Sequence, residues 1–363
     1  MSYLAVLGRQ PEISIAELEA LFGSVKKISN NLAVFEENIV KPDIDRLGGS
    51  LKIAEKIVNK PLDFLRELPE GKITLGISDY SGYASKKTAT IEALKLKKIL
   101  VRHGRSVRVV ENKEATLSTA TSLHNGLGGK NERKVELIKV NNDWYKVIGV
   151  QDIDAYTKRD QARPARDAKV GMLPPKLAQI LINLCGLLEA GSRVLDPFCG
   201  TGVVLQEALL MGYVAYGTDI SEKMVEYSEK NLKYFGFEKY KVEVGDATSF
   251  QWERPINAVA CEGYLGRPFS RIPKDIELKE QKVECGSIVL GFLKNILAQI
   301  ESGVPVTIAV PAWLREDGEY ERIDILDDIN DMGYNVNNKS REGLLYHRDN
   351  QVVARDIIIL RKK

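Results

Sequence analysis

Histidine and cysteine are scarce in this chain, and no long apolar run is present. The three histidines, His103, His124 and His347, are scattered, and the four cysteines, Cys185, Cys199, Cys261 and Cys285, form no CxxC pair. That spacing excludes a zinc ribbon and a disulfide scaffold, so reduced thiols, no metal and a cytoplasmic location are expected. No stretch reaches the roughly twenty apolar residues of a membrane span, so no membrane partner is expected. Residues 1–23 carry Arg9, Glu12, Glu17 and Glu19 where a signal peptide would have an apolar core.

What is present is ordinary globular composition, 44% hydrophobic and 28% charged, in 363 residues, enough for two or three domains. The formal net charge of +2 hides an uneven spread. Residues 72–150 hold fifteen Lys or Arg against seven Asp or Glu, so that stretch stands at +8 and the remainder at −6. Such asymmetry either marks a domain that meets a polyanion or solvates one face.

The stretch Val194-Leu195-Asp196-Pro197-Phe198-Cys199-Gly200-Thr201-Gly202-Val203-Val204 leads from an apolar strand through a Gly-x-Gly turn into a helix. A second apolar run ends in Asp219, about twenty residues after the glycines, as in a nucleotide-binding βαβ unit. Gly200 and Gly202 permit positive φ and close approach of a ligand, and Asp219 can accept both hydroxyls of a ribose. The third glycine of GxGxxG is missing. Pyrophosphate needs the helix N-terminus unobstructed, so the loop suits a ligand without phosphate better than a dinucleotide. In Gly245-Asp246-Ala247, past a third strand, Asp246 either offers a carboxylate to an adenine edge or caps a turn.

Taken in order, residues 3–8 and 32–35 read as strands and residues 14–23 as a helix capped by Ser14 with Glu17 three residues on. Residues 44–58 read as helical with a break at Gly48-Gly49. This makes an α+β module over residues 1–69. A second module over 70–152 reads strand (73–78), helix (88–103), strand (106–110), short helix (118–126) and a hairpin (135–150). Residues 153–175 are a polar, basic connector, and an apolar helix then runs to Leu188. Within 176–363, strands at 193–196, 214–219, 242–244, 256–261 and 304–310 alternate with helices at 203–211, 224–235, 288–300 and 323–332. That alternation predicts a parallel, doubly wound α/β sheet. Residues 343–360 break it with a terminal hairpin about Asp349-Asn350.

Asp196-Pro197-Phe198-Cys199-Gly200-Thr201-Gly202 resembles motif I of S-adenosylmethionine-dependent methyltransferases, particularly those acting on amino groups of RNA and DNA. The resemblance implies S-adenosylmethionine as cofactor and S-adenosylhomocysteine as product. Asp196, Gly200 and Gly202 would surround the methionine and sulfonium, Asp219 the ribose, and Asp246 with Ala247 the adenine, with Phe198, Cys199, Thr201 and Ile220 also at the cofactor. Amino-methyltransferases of this group carry Asp/Asn-Pro-Pro-Tyr/Phe after the fourth strand. An exocyclic amine has its lone pair delocalised into the ring, so its N–H groups must be held by an acid and a carbonyl while the nitrogen faces the methyl. An aromatic face stacks the flipped base. Here the stretch is Cys261-Glu262-Gly263-Tyr264, which departs from that pattern. Alignment on Tyr264 puts Cys261 at the acid position, and alignment on the acid puts Glu262 there. A thiol is a weak acceptor, which favours Glu262, with Gly263 and Tyr264 beside it. Cys261 lacks the Pro-Cys or Thr-Cys context of a pyrimidine-attacking nucleophile and reads as a buried strand-end residue.

Residues 72–150 resemble a THUMP domain, a module of tRNA-modifying enzymes. Further stretches, Tyr3-Leu4-Ala5-Val6-Leu7-Gly8-Arg9-Gln10-Pro11, Arg163-Pro164-Ala165-Arg166-Asp167, Gly171-Met172-Leu173-Pro174-Pro175-Lys176-Leu177-Ala178 and Gln351-Val352-Val353-Ala354-Arg355-Asp356, extend the likeness to nearly the whole chain. They are similar to the THUMP-containing tRNA guanine-N2 methyltransferases that act on guanosine 10. The implied fold is a class I methyltransferase domain, Rossmann-like with a terminal antiparallel hairpin, preceded by an α+β module and a THUMP-like domain. The implied partner is tRNA, met by Lys86, Lys87, Arg102, Arg105 and Arg108 and by Arg163, Arg166 and Lys169 of the connector. Pro174, Lys176 and Leu177 match the segment that closes over the cofactor. A monomer is expected, and some eukaryotic relatives need a small partner subunit. Two other readings stay open: methylation of another guanine or of adenine N6 in RNA, and an RNA-binding relative without turnover.

Overall fold

The computed structural model describes residues 1–36, 41–167, 173–348 and 351–363. They fall into two units, Met1–Tyr156 and Thr157–Lys363. In the first, the apolar run at the start of the chain forms β1 (Ser2–Leu7), and the chain continues through β2 (Val25–Ser29), β3 (Leu32–Glu36), β4 (Ser50–Lys56), β5 (Ile73–Asp79), β6 (Val107–Val109), β7 (Lys134–Val140) and β8 (Asp143–Val150). These make one sheet in the order β2-β3-β1-β4-β8-β7-β5-β6, so strands from residues 1–69 and from 70–152 share a single ladder through the β4–β8 pair. Helix Lys86–Arg102 covers β5 with Ala89, Ala93, Leu96 and Leu100, and Ser85 caps it in a box with Thr88.

Two expectations fail here for one reason. Residues 44–58 were expected to be helical, but only Ile44–Arg46 makes a short 3₁₀ turn before β4 begins. The helix expected to start at Ser14 starts at Pro11, with no side-chain cap. Glu17 instead accepts from the backbone amides of Gly48 and Gly49 at 2.9 and 2.8 Å, and Ser14 donates to the carbonyl of Gly49 at 2.7 Å. A Cβ on Gly49 would lie 2.9 Å from the Ser14 backbone. The residues that mimic a capping box are therefore a clamp on a glycine pair 31 to 35 residues away, a long-range contact that local spacing cannot reveal.

In the second unit the strands are β9 (Arg193–Asp196), β10 (Val214–Asp219), β11 (Tyr240–Val244), β12 (Ala258–Glu262), β13 (Pro305–Leu314), β14 (Tyr320–Glu321), β15 (Tyr334–Val336), β16 (Leu345–Tyr346) and β17 (Val353–Lys362). The sheet order is β11-β10-β9-β12-β13-β17-β15, with β14 against β13 and β16 against β17. Strands β9 to β13 run parallel, and β17 is antiparallel to both neighbours. This is the class I methyltransferase arrangement. The expected turn of the terminal hairpin, Asp349-Asn350, lies outside the described residues. Helix Asp275–Leu297 begins well before the expected residue 288, and the helix starting at Pro175 stops at Asn183 instead of running to Leu188. The connector is helical over Ile153–Gln161. Among the described residues no helix is long and apolar enough to cross a membrane.

One charge sits in the middle of the first sheet. The ammonium of Lys52, 1% exposed, reaches Glu136 at 2.6 Å, the Ser122 hydroxyl at 2.8 Å and the Leu117 carbonyl at 2.8 Å, while Glu136 also accepts from Ser78 and Ser122 at 2.6 Å. Every polar partner is satisfied, so removal of one member leaves an uncompensated charge. Glu136→Ala is expected to destabilise the first unit by about 3–5 kcal/mol, and Lys52→Met with Glu136→Leu by much less. Urea unfolding followed by hydrogen exchange of β4 and β7 measures both.

Candidate active site

The strand order reverses between β9 and β12: β10 and β11 lie on one side of β9, β12 and β13 on the other. Ligands of open α/β sheets bind outside the carboxyl ends of strands at such a switch point. Asp196, Asp219 and Glu262 are the last residues of β9, β10 and β12.

The turn after β9 is held from several sides. Gly200 has φ +50 and Gly202 φ +83, a left-handed conformation that a side chain would strain. Ser228 donates to the Gly200 carbonyl at 2.8 Å, and Asn231 to that of Thr201 at 2.9 Å. Gly217, which sequence reasoning did not single out, lets the turn come down on β10: a Cβ there would meet Leu205 at 2.6 Å and the Cys199 Cβ at 3.0 Å. The missing third glycine of the loop is thus matched by a glycine on the neighbouring strand.

Asp219 accepts from the amides of Gly200 and Ser221, both at 2.9 Å. Asp196, 2% exposed, accepts from the amide of Phe198 at 3.1 Å. Burial, with the nearby charges of Asp219 and Glu262, pushes the Asp196 carboxyl well above its ordinary range. Burial likewise raises Asp219. Ile220 is 73% exposed beside Asp219. Asp246 is exposed, and its carboxylate takes the amide and hydroxyl of Thr248 at 2.9 and 2.8 Å, the turn-capping geometry that its sequence context also allowed. Ala247 is buried next to it. Phe198 packs edge-on against Phe292, centroids 5.4 Å apart. Cys199 is buried, and burial drives its thiol far from ionisation.

Cys261 is fully buried, and burial followed by the charge of Asp196 raises its thiol well above the usual value, which leaves it no nucleophilic thiolate. Glu262 reaches the strand end and pairs with Arg355 of β17. Gly263 stays in the ladder, its amide donating to the Ala309 carbonyl at 2.9 Å, a bond that proline in the expected pattern could not make. Tyr264 is 38% exposed, with its phenol raised by partial burial and by Glu284. Arg355 was missed by sequence reasoning. The signal was an arginine inside an apolar terminal strand.

Leu177, like Asp196 and Ala247, is buried. Two expected assignments need correction. Arg163, expected to face RNA, is 3% exposed: it donates to Thr201 at 3.3 Å and pairs with Asp160 at 3.0 Å. It braces the glycine turn instead. Arg105 is half-buried and donates to the carbonyls of Leu68 and Pro69 at 2.9 and 2.7 Å, a structural strap. Lys86, Lys87, Arg102 and Arg108 of the first unit are exposed, as is Arg166 of the second. Lys86 lies 3.6 Å from Glu111, and Arg108 donates to Asn125 at 3.1 Å. Lys169 lies outside the described residues. Pro174 precedes helix Pro175–Asn183, and Lys176 in its first turn has its ammonium pKa lowered by burial and by Arg159. Arg159 itself pairs at 3.1 Å with the fully buried Glu207, a residue of the helix that follows the glycine turn.

Residues 188–309 match a family described as "Methyltransferase domain", and residues 99–230 one described as "DNA methylase". Over 292 residues the chain is 32% identical to the tRNA (guanine(10)-N2)-dimethyltransferase of Pyrococcus abyssi, which covers 76% of this chain and 77% of that protein. It is 32% identical over 157 residues to the enzyme of the same name from Methanothermobacter thermautotrophicus, 43% of this chain and 44% of that one. The crystal structure of TrmN from Thermus thermophilus aligns over 100% of both chains at 17% identity with a TM-score of 0.49.

Asp196 has no cationic partner among the described ion pairs, and a cation in the cleft would favour its ionised form. A raised carboxyl pKa means that the proton leaves late, so affinity for a cationic ligand increases as pH rises through it. Calorimetry from mildly acidic to neutral pH is expected to show S-adenosylmethionine gaining affinity over the uncharged thioether S-adenosylhomocysteine. Asp196→Asn is expected to flatten that difference.

Proposed function

The chain belongs to the tRNA (guanine(10)-N2)-dimethyltransferase family, and from that premise we propose that it methylates the exocyclic N2 amine of guanosine 10 in tRNA, using S-adenosylmethionine, as a cytoplasmic monomer. The observation that carries the reading is that Asp196, Asp219 and Glu262 end β9, β10 and β12 at the point where the strand order reverses, with Asp196 and Asp219 bonded to amides of the glycine turn. That donor set fits a positively charged sulfur and an uncharged ribose, and would repel a pyrophosphate. When bound, the cofactor supplies an electrophilic methyl group.

The chain's own residues do the rest. Asp196 and the turn Phe198–Gly202 hold the charged end, Asp219 the ribose hydroxyls, and exposed Ile220 with Ala247 and Asp246 the adenine. Glu262 accepts one N–H of the guanine amine and receives its proton as the N–C bond forms, while Tyr264 offers a face for the extruded base. We read residues 1–69 as an N-terminal module, 70–152 as a THUMP-like domain, 153–175 as a connector and 176–363 as the methyltransferase domain. Exposed Lys86, Lys87, Arg102, Arg108 and Arg166 support a role in holding tRNA phosphates. The four cysteines, all free thiols, suit a reducing compartment.

Nucleoside mass spectrometry of tRNA incubated with protein and labelled S-adenosylmethionine tests the reaction. N2-methylated guanosine mapped to position 10 is expected. Label on adenine or at another guanosine, or none, overturns the reading. In the same assay Glu262→Ala is expected to lower turnover at least a hundredfold, on the order of 3 kcal/mol of transition-state stabilisation, with cofactor affinity unchanged. Binding of tRNA is expected to weaken more than about tenfold from low to physiological salt, because phosphate contacts release counterions. Filter binding across a salt series measures it.

A further inference from the structure

Glu262 and Arg355 come from strands that do not pair with one another. Strand β13 lies between them: Glu262 is in register with Ala309, and Arg355 with Pro311 on its other side. The guanidinium therefore crosses over β13 to reach the carboxylate, where its Nε donates to Oε1 of Glu262. Both side chains are largely withdrawn from solvent, 8% and 16% exposed. Arg355 is thus poorly placed to meet a phosphate on the surface.

The base of this arm is fixed. Arg355 pairs with Pro311 and Tyr346 in the sheet, and the adjacent Asp356, 2% exposed, is held from the other face by Arg322 at 2.7 Å. Arg322 in turn donates to the Ser340 carbonyl at 2.6 Å. Glu262, by contrast, carries one methylene more than aspartate and is followed by Gly263, which gives its backbone no ring to stiffen it. Among the described residues, the strand register and the arginine are what restrain the angle at which its carboxylate meets the cleft.

We propose that Arg355 is the positioning residue of the active site: by holding Oε1 of Glu262 it fixes the plane of the carboxylate and leaves Oε2 as the single acceptor aimed at the guanine amine. The inference rests on the reaction proposed above. It assigns to an ion pair the rigidity that a Pro-Pro turn would give to an aspartate. A planar guanidinium donating through Nε sets an orientation that a lysine ammonium, a point charge on a flexible stem, does not.

A double-mutant cycle on the full chain tests it, with Glu262→Gln, Arg355→Gln and the pair assayed for single-turnover methylation of tRNA and for S-adenosylmethionine binding. If Arg355 acts only through Glu262, Arg355→Gln loses at least tenfold in rate at saturating tRNA, with cofactor affinity intact, and the double variant is no slower than Glu262→Gln alone. Arg355→Lys, which preserves the buried charge where the glutamine variant fails to fold, is expected to keep the parent's melting temperature and lose rate, not tRNA affinity. Multiplicative losses in the cycle, a loss confined to tRNA affinity, or parental rates in either arginine variant overturn the proposal. Parental protein that leaves tRNA unmethylated overturns the reaction itself, which separates the two failures.

Discussion

Asp219 accepting from two backbone amides at once is the tie on which the ligand-facing end of the second sheet depends. One amide belongs to the turn after β9 and the other to the turn after β10, so a single side chain sets the spacing between the two loops that form the cleft. The tie needs Gly200 and Gly202 in left-handed conformations and Gly217 without a side chain, because only then can the first loop settle on the second strand. Burial is the cost, and it appears as raised carboxyl pKa values at Asp196 and Asp219.

Buried charge has two different meanings in this protein. Lys52 and Glu136 neutralise each other at 2.6 Å, and hydroxyls and a carbonyl take their remaining hydrogen bonds. Such a network needs nothing from outside and serves the fold. Asp196 is buried as deeply but has only the Phe198 amide for compensation, with two further acids nearby. A buried carboxylate left without a cation of its own is poised for a cationic ligand, which is why the second arrangement points to chemistry and the first does not. Glu207 stands between the two: fully buried and pushed up to about 7 by burial, it is partly offset by Arg159.

Most of the second unit was legible because its signals are local. Apolar strands ending in Asp196 and Asp219, a Gly-x-Gly turn and alternating helices specify a doubly wound sheet without long-range information. What escaped was set by contacts distant in sequence. Ser14 and Glu17 have the spacing of a helix cap yet serve Gly48-Gly49. Arg163 reads as a basic surface residue and is buried against Thr201, because long arginine stems are easily drawn under a loop. Strand β15 spans three residues, too few for an alternation pattern to show. Arg355 was visible as a residue but not as a partner, since its strand lies two places from that of Glu262 in the sheet.

The position of β17 imposes an order on assembly. It follows β15 in the chain yet lies between β15 and β13, so the edge strand has no ladder to join until the later segment is in place. Until then the long apolar strand Pro305–Leu314 presents one open side, the kind of surface on which sheets of separate molecules grow together. The same closing event carries Arg355 to Glu262. Closure of the sheet and formation of the Glu262–Arg355 pair are therefore one and the same event.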